Sequence, residues 1–220
     1  MKLLLASRNK HKIEEIRAIF DMPDIVIVGA DEIENLPMVD EDGSTFHANA
    51  VKKAVTLAMR AHLWTLADDS GLEVDALGGD PGVHSARYAG EPADYAANNA
   101  KLLKELEWLA MRSARFRCVI ALASPSGRAQ IVEGKCEGRI IHELRGGEGF
   151  GFDPLFVPDG YEQTFAEMPA NLKNDISHRA AALKLAKEKW GFILAKGEND
   201  WPRTISPEQR RTNFRSAATT

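Results

Sequence analysis

The chain has 220 residues, a hydrophobic share of 44% and a formal net charge of −4. Such a length and apolar content suit one large domain or one domain of two lobes, and exclude disorder as the default. The acidic balance gives no basic footprint for duplex nucleic acid, and no run approaches the roughly eighteen apolar residues of a membrane helix, so the expectation is a soluble cytoplasmic protein.

The apolar run over 2–6 predicts a buried strand, the polar Ser7-Arg8-Asn9-Lys10 a turn, and Ile13, Ile16 and Phe20 one face of a helix over 11–20. A second strand is expected over 24–29, and strand, helix and strand within thirty residues point to a βαβ start with a parallel pair. The acidic loop over 30–43 leads to Ser44 or Thr45, either of which can cap a helix over 46–62. Leu66-Ala67-Asp68-Asp69-Ser70-Gly71 then reads as a buried strand that stops at a Ser-Gly turn. The glycines of Gly78-Gly79-Asp80-Pro81-Gly82 make the chain up to about residue 90 irregular, and Pro92 starts a helix over 92–110. A hairpin is expected from strands over 115–123 and 128–136, with the turn at Ser124-Pro125-Ser126-Gly127. That centring sets Cys118 opposite Glu133, so Cys118 and Cys136 are expected as two reduced thiols. Further strands are predicted over 138–144 and 155–157, either side of a glycine-rich loop, and a last helix over 175–195. The polar segment over 197–220 shows no period and reads as a flexible tail or accessory arm.

Five places carry candidate chemistry, each with a plainer reading beside it. Ser7, Asn9, Lys10 and Lys12 surround a helix start, where free N–H groups and lysine charge suit phosphate; a solvated turn explains them too. Glu41, ahead of a helix carrying Lys52 and Lys53, can meet a metal–phosphate group or be part of an acidic loop. Asp68 and Asp69 offer hard oxygen ligands to a divalent cation or simply cap a turn. In the loop Gly149-Phe150-Gly151-Phe152-Asp153, a phenylalanine can stack on a planar base and Asp153 can accept from its edge, or the rings belong to the core. Lys173 and Ser177-His178-Arg179 at the last helix start can bind a keto oxygen or a phosphate, or only cap the helix. The spacing of a Walker loop, a Rossmann fingerprint and a nucleophile elbow are all absent.

Taken together, these stretches resemble one family. Ser7-x-Asn9-x-x-Lys12, Glu41 with Thr45-Phe46-x-x-Asn49-Ala50-x-x-Lys53-Ala54, Ala67-Asp68-Asp69-Ser70-Gly71-Leu72, Pro81-Gly82-x-x-Ser85-Ala86-Arg87-Tyr88, Gly149-Phe150-Gly151-Phe152-Asp153-Pro154 and Ser177-His178-Arg179 occur in the order and spacing of the dITP/XTP (inosine triphosphate) pyrophosphatases. The resemblance covers about 2–195. It departs at the first motif, where Arg8 stands in place of a small residue, and it does not extend to the tail.

The resemblance implies an α/β fold of two lobes around a long mixed β-sheet flanked by helices, with the substrate cleft between the lobes. It also implies hydrolysis of deaminated purine nucleoside triphosphates (dITP, ITP, XTP) to the monophosphate and pyrophosphate, a need for Mg²⁺, and a homodimer. Residue by residue, Ser7, Arg8, Asn9, Lys10, His11, Lys12 and Lys53 would bind the triphosphate. Asp69 would be general base and metal ligand, with Glu41 and Asp68 near the metal. Ser70, Phe150, Gly151, Phe152, Asp153, Lys173, His178 and Arg179 would contact base and sugar. The rival readings are a pyrophosphatase for other modified nucleotides, pyrimidines included, and a nucleotide-binding module without catalysis.

Overall fold

A computed structural model describes residues 1–196; the expected tail over 197–220 lies outside the described residues. Six strands form one mixed sheet in the order β2-β1-β3-β4-β5-β6. The strands are β1 (Lys2–Leu5), β2 (Val26–Gly29), β3 (Trp64–Val74), β4 (Ser113–Ala123), β5 (Ala129–Ile140) and β6 (Phe156–Pro158). The helices are α1 (Lys10–Ile19), α2 (Phe46–Ala61), α3 (Tyr95–Glu105), α4 (Ala170–Ile176) and α5 (His178–Lys196). β1 pairs parallel with β2 and β3, as the βαβ start requires, and the rest of the ladder is antiparallel. This is the expected mixed α/β sheet.

Apolar residues on the two faces of the β1–β3–β4 half bury against different helices. Leu3, Leu5, Leu66, Cys118 and Ile120 pack with residues of α1 and α5. Leu4, Ala67, Val119 and Ala121 pack with Phe46, Ala50, Ala54 and Leu57 of α2. A third cluster, including Leu72, Val74, Phe116, Phe152, Phe156 and Phe165, forms a separate core around the end of β3 and the start of β4. Strand side chains alternate between faces, so neighbours along β3 are handed to different helices.

Five expectations change. Ser70-Gly71 is not a turn: β3 runs through it to Val74, paired with β4 from Thr65↔Ala123 to Val74↔Ala114. Gly71 serves close approach instead, since a Cβ there would overlap the Gly82 carbonyl and the Ser85 hydroxyl. The hairpin register is one residue off the prediction, with Cys118 opposite Gly134. Its tight loop is Pro125-Ser126-Gly127, with Gly127 at positive φ, and three residues shift the pairing relative to a four-residue turn. Both cysteines are nonetheless free. Of the separate strand expected over 138–144, only 138–140 is strand, as the end of a continuous β5, and 141–144 is not. Pro92 does not begin α3; Asp94 does, accepting from the amides of Ala96 and Ala97. Finally, the last helix starts at His178 as α5, and an unexpected short α4 precedes it, separated by Ser177 in extended backbone (φ −69°, ψ 161°).

Candidate active site

β1 ends at Leu5, and its pairing with β3 stops at Leu66, where the Ala6 amide donates to the Leu66 carbonyl at 2.8 Å. Further along, the same edge of β3 is covered by the 3-10 turn Gly82–Arg87 and its approach: Ser85 Oγ accepts from the Leu72 amide at 2.9 Å. Asp68, Asp69 and Ser70 occupy the gap between. An opening at the carboxyl ends of parallel strands is where open α/β sheets bind ligands. A lysine fills the vacated edge position, Lys53 Nζ donating to the Asp68 carbonyl at 2.7 Å.

Alternation sends the two carboxylates apart. Asp68 faces α1 and α5 and is saturated: Oδ1 takes Lys12 Nζ (2.5 Å) and Ser70 Oγ (3.1 Å), and Oδ2 takes Arg179 Nε (3.1 Å) and the Cys118 thiol (2.9 Å). Burial works to raise its pKa, but the Arg179 and Lys12 charges prevail and hold it well below the usual value. Asp69 faces α2, beside Glu41 and Lys53, and shares no face with Asp68. Lys53 Nζ donates to Glu41 Oε1 at 2.9 Å and stands 3.8 Å from Asp69 Oδ1. Asp69 Oδ2 is buried with no hydrogen-bond partner. Burial, with the Glu41 charge beside it, pushes Asp69 up to about 6 against the pull of Lys53, Lys12 and a hydrogen bond from Asn49. Burial also acts to raise Glu41, yet Lys53 keeps it below its ordinary value. Two neighbouring carboxyls driven in opposite directions are the arrangement that separates acid from base.

The turn after β1 forms because Asn9 caps α1, accepting from the Lys12 amide at 3.3 Å, while Ser7 Oγ accepts from the Asn9 amide at 3.2 Å. Lys12 faces Asp68, and Lys10 is exposed. Arg8 turns aside, its guanidinium on the Leu36 carbonyl (3.0 Å) and the Met38 sulfur. His11 stacks on Phe150, centroids 5.3 Å apart and planes at 13°.

A second pocket adjoins the carboxylate pocket, and the two share Asn9, Lys12, Ser70 and Ala86. Phe150, Gly151, Phe152, Asp153, Lys173, His178 and Arg179 line it, so the structure brings all the predicted base-contacting residues together. They divide by partner. Phe150 is half-buried and open to the pocket, whereas Phe152 is also core, edge-on to Tyr88. Asp153 fixes the loop: its Oδ2 accepts from the Phe150 amide (2.8 Å) and from Lys173 (2.6 Å). His178 lies on Phe116 (4.7 Å, 13°), its Nδ1 buried and without a partner. Burial first, and the Arg179 charge next, hold it well below its usual pKa, so it is neutral. Arg179 is ionised between Asp68, Ser70 (2.9 Å) and Glu15.

Several of these partners escaped the sequence reading. Glu15 binds both Lys173 (2.8 Å) and Arg179 from one turn along α1, and only its spacing three residues after Lys12 signals that it shares that lysine's face. Arg87 donates to the Glu41 carbonyl at 2.9 Å, and Tyr95 accepts from Asn9 at 3.3 Å across the cleft. Arg87 stands in the motif Pro81-Gly82-x-x-Ser85-Ala86-Arg87-Tyr88 with no role assigned to it, and nothing in the local pattern marks Tyr95.

Comparison with known proteins gives a consistent result. The model of the Ham1 family matches residues 3–189. A Desulforamulus reducens protein named dITP/XTP pyrophosphatase is 54% identical over 190 residues, covering 86% of this chain and 94% of its own. A Geobacter sulfurreducens protein of the same name is 49% identical, covering 87% of this chain and 97% of its own. Among solved structures, the Staphylococcus aureus Ham1 protein aligns with a TM-score of 0.79 at 38% identity, over 90% of this chain and all of that one. No helix among the described residues is long and apolar enough to cross a membrane.

Proposed function

Because the chain belongs to the Ham1 family, we propose that it hydrolyses deaminated purine nucleoside triphosphates (dITP, ITP and XTP) to the monophosphate and pyrophosphate. The observation that carries this reading is Asp69: a buried carboxyl with a free oxygen, raised to about 6, in a lysine-lined pocket that adjoins an aromatic one. A general base titrating near neutrality beside a planar-ring pocket is what attack on an α-phosphorus needs.

The residues also fit a divalent cation. Glu41 and the orphaned Asp69 Oδ2 are hard oxygen donors on one face. Among the described residues no cluster of three or more His, Cys, Asp or Glu stands together as a closed cage. Mg²⁺ commonly takes one or two protein carboxylates and completes its shell with water and phosphate oxygens, so Glu41 and Asp69 would hold it. When bound it would neutralise charge developing on the phosphates. Asp68, its four donors in place, is assigned to fixing Lys12 and Arg179 instead.

In this scheme the α1 N-terminus, Ser7, Lys12 and Lys53 bind and orient the triphosphate, which a net-acidic protein must attract with local charge. Asp69 accepts the proton of the attacking water. Phe150 stacks on the base, with the Lys173 and Arg179 charges 5.0 and 5.8 Å from its ring centre. Arg179 and His178 would donate to a 6-keto oxygen. An adenine amine there would leave a buried donor unmatched, at about 1–3 kcal/mol or roughly tenfold to hundredfold in discrimination. The homodimer expected from the family reading is a matter for sedimentation.

Pyrophosphate release across dITP, XTP, GTP and ATP, with and without Mg²⁺, tests this. Fast turnover of dITP and XTP that requires the metal and collapses in Asp69→Asn supports it. Equal rates on all four nucleotides, or an active Asn variant, would refute it.

A further inference from the structure

The segment over 33–43 crosses the mouth of the carboxylate pocket: Pro37, Met38, Val39 and Glu41 all line it. It has no regular secondary structure of its own beyond the 3-10 turn Ala30–Glu32 that precedes it. Ile33, Leu36 and Val39 rest half-buried on the α2 side of the sheet, and the exposed residues between them contribute little packing. Its placement therefore depends on polar ties: at its far end Asp42 pairs with Lys52 (2.7 Å) and the Gly43 amide donates to Asn49 Oδ1 (2.8 Å), and three more hold the stretch that lines the pocket. Lys53 holds the Glu41 carboxylate (2.9 Å), Arg87 holds the Glu41 carbonyl (2.9 Å), and Arg8 holds Leu36 and Met38. Only the Arg8 tie joins the strap to the phosphate turn at the end of β1.

The Arg8 partners are unusual for a guanidinium. Both are neutral acceptors, a carbonyl and a thioether, and among the described residues no carboxylate stands within ion-pair distance. A rigid planar fork presents two donors in fixed geometry and can hold the Leu36 carbonyl and the Met38 sulfur at once; an ammonium on a flexible stem holds them less firmly. The bridge fixes the strap five residues upstream of Glu41 at one end, and Arg87 fixes it at Glu41 itself. Between them the chain is too short to wander, so the separation of Glu41 from Asp69 depends on both.

We propose that Arg8 is a positioning residue. It pins the strap to the phosphate turn and thereby sets where the Glu41 carboxylate stands opposite Asp69. The proposal rests on the reading of Glu41 and Asp69 as the metal pair, but its structural part is independent of that reading. It also accounts for a bulky cation in a turn otherwise shaped for anion binding: the side chain leaves the turn and works on the loop.

The test uses the whole chain and two readouts that do not require turnover. Thermolysin cleavage of the metal-free protein within 36–39 reads the strap, and calorimetric titration with Mg²⁺ alone reads the site, for Arg8→Ala, Arg8→Lys and Glu41→Gln. Arg8→Ala is expected to speed cleavage there about tenfold, with α2 uncut, since it removes both hydrogen bonds. It should weaken Mg²⁺ binding roughly tenfold, the scale of losing an outer partner of a metal ligand. Arg8→Lys should fall between. If Arg8→Ala leaves strap cleavage and Mg²⁺ binding unchanged, the proposal is overturned, and a raised KM for the triphosphate would make Arg8 a phosphate contact instead. If Glu41→Gln leaves Mg²⁺ binding intact, the metal pair is wrong, while the cleavage data still decide whether Arg8 holds the strap.

Discussion

Asp69 is costly to keep, and Asp69→Asn makes the cost measurable. The carboxyl is almost fully buried, one of its oxygens has no partner, and it titrates near 6 instead of 3.8. A pKa raised in the folded state means that the folded state holds the proton more tightly. The stability this group contributes is whole below pH 3.8 and is lost as pH rises through about 6. At about 1.4 kcal/mol per pH unit, the loss above pH 7 comes to about 3 kcal/mol. Asparagine keeps the shape and remains neutral at every pH, so it stays on the low-pH side of that transition.

In chelator, Asp69→Asn should therefore be the more stable protein by about 3 kcal/mol at pH 8, by roughly half of that at pH 5, and by nothing near pH 3.5. Urea unfolding at the three pH values measures this, and in a domain of this size the pH 8 gain corresponds to a melting shift of about 6–12 °C. Added Mg²⁺ should then stabilise the parent protein and not the variant, through preferential binding to the folded state. A variant no more stable than its parent at pH 8 would refute the account, because it would mean that the Asp69 carboxylate is adequately solvated or paired.

Other consequences are simpler to state. Gly71→Ala places a methyl against the Gly82 carbonyl and the Ser85 hydroxyl, and thermal unfolding should show a loss of about 1–3 kcal/mol. Phe150→Ala removes the stacking surface and should lower kcat/KM for every purine triphosphate by about five- to hundredfold, while leaving the dITP-to-ATP ratio nearly unchanged. His178 is buried and neutral, with its folded pKa well below 6.5, so the unfolded chain takes up a proton first as pH falls. Its contribution is therefore whole above pH 6.5 and is lost below that. His178→Gln should show a shallower fall in stability than its parent between pH 6.5 and 5.

Much of the fold is local and was readable as such. The 3.6-residue stripe of α2, its Thr45 cap and the β1–α1–β2 unit follow from patterns within a few turns of chain. What escaped depends on distant partners. Asp-Asp-Ser-Gly is turn chemistry by local propensity, and tertiary context overrides it: β4 pairs with every residue of that stretch, and Gly71 is needed for close approach, not for reversal. Ser177 is legible as a cap near the start of the last helix, but the short α4 just before it carries no pattern of its own, and its Lys173 gains meaning only against Asp153 and Glu15. Glu15 looks like one more charge on an exposed helix, and only the arrival of Lys173 and Arg179, more than 150 residues later in the chain, makes it part of the site.

The adjacent aspartates show how far pattern carries and where geometry takes over. As a dipeptide, Asp68-Asp69 suggests two ligands for one cation. On a continuous strand, consecutive side chains leave opposite faces, so one metal cannot take both without breaking the ladder. Each carboxylate then meets a different set of neighbours. Asp68 receives two cations, a hydroxyl and a thiol, and becomes the fixed charge that orients Lys12 and Arg179. Asp69 receives a lysine at 3.8 Å and a second carboxylate, and retains an oxygen with nothing to bind. The strand can place them so because β1 stops at Leu5. Had β1 continued two residues further, its backbone would occupy the edge that Lys53 now reaches, and the Asp69 side of the gap would be closed. The open setting of the Asp69 carboxylate therefore depends on where a neighbouring strand ends, which no property of the dipeptide itself records.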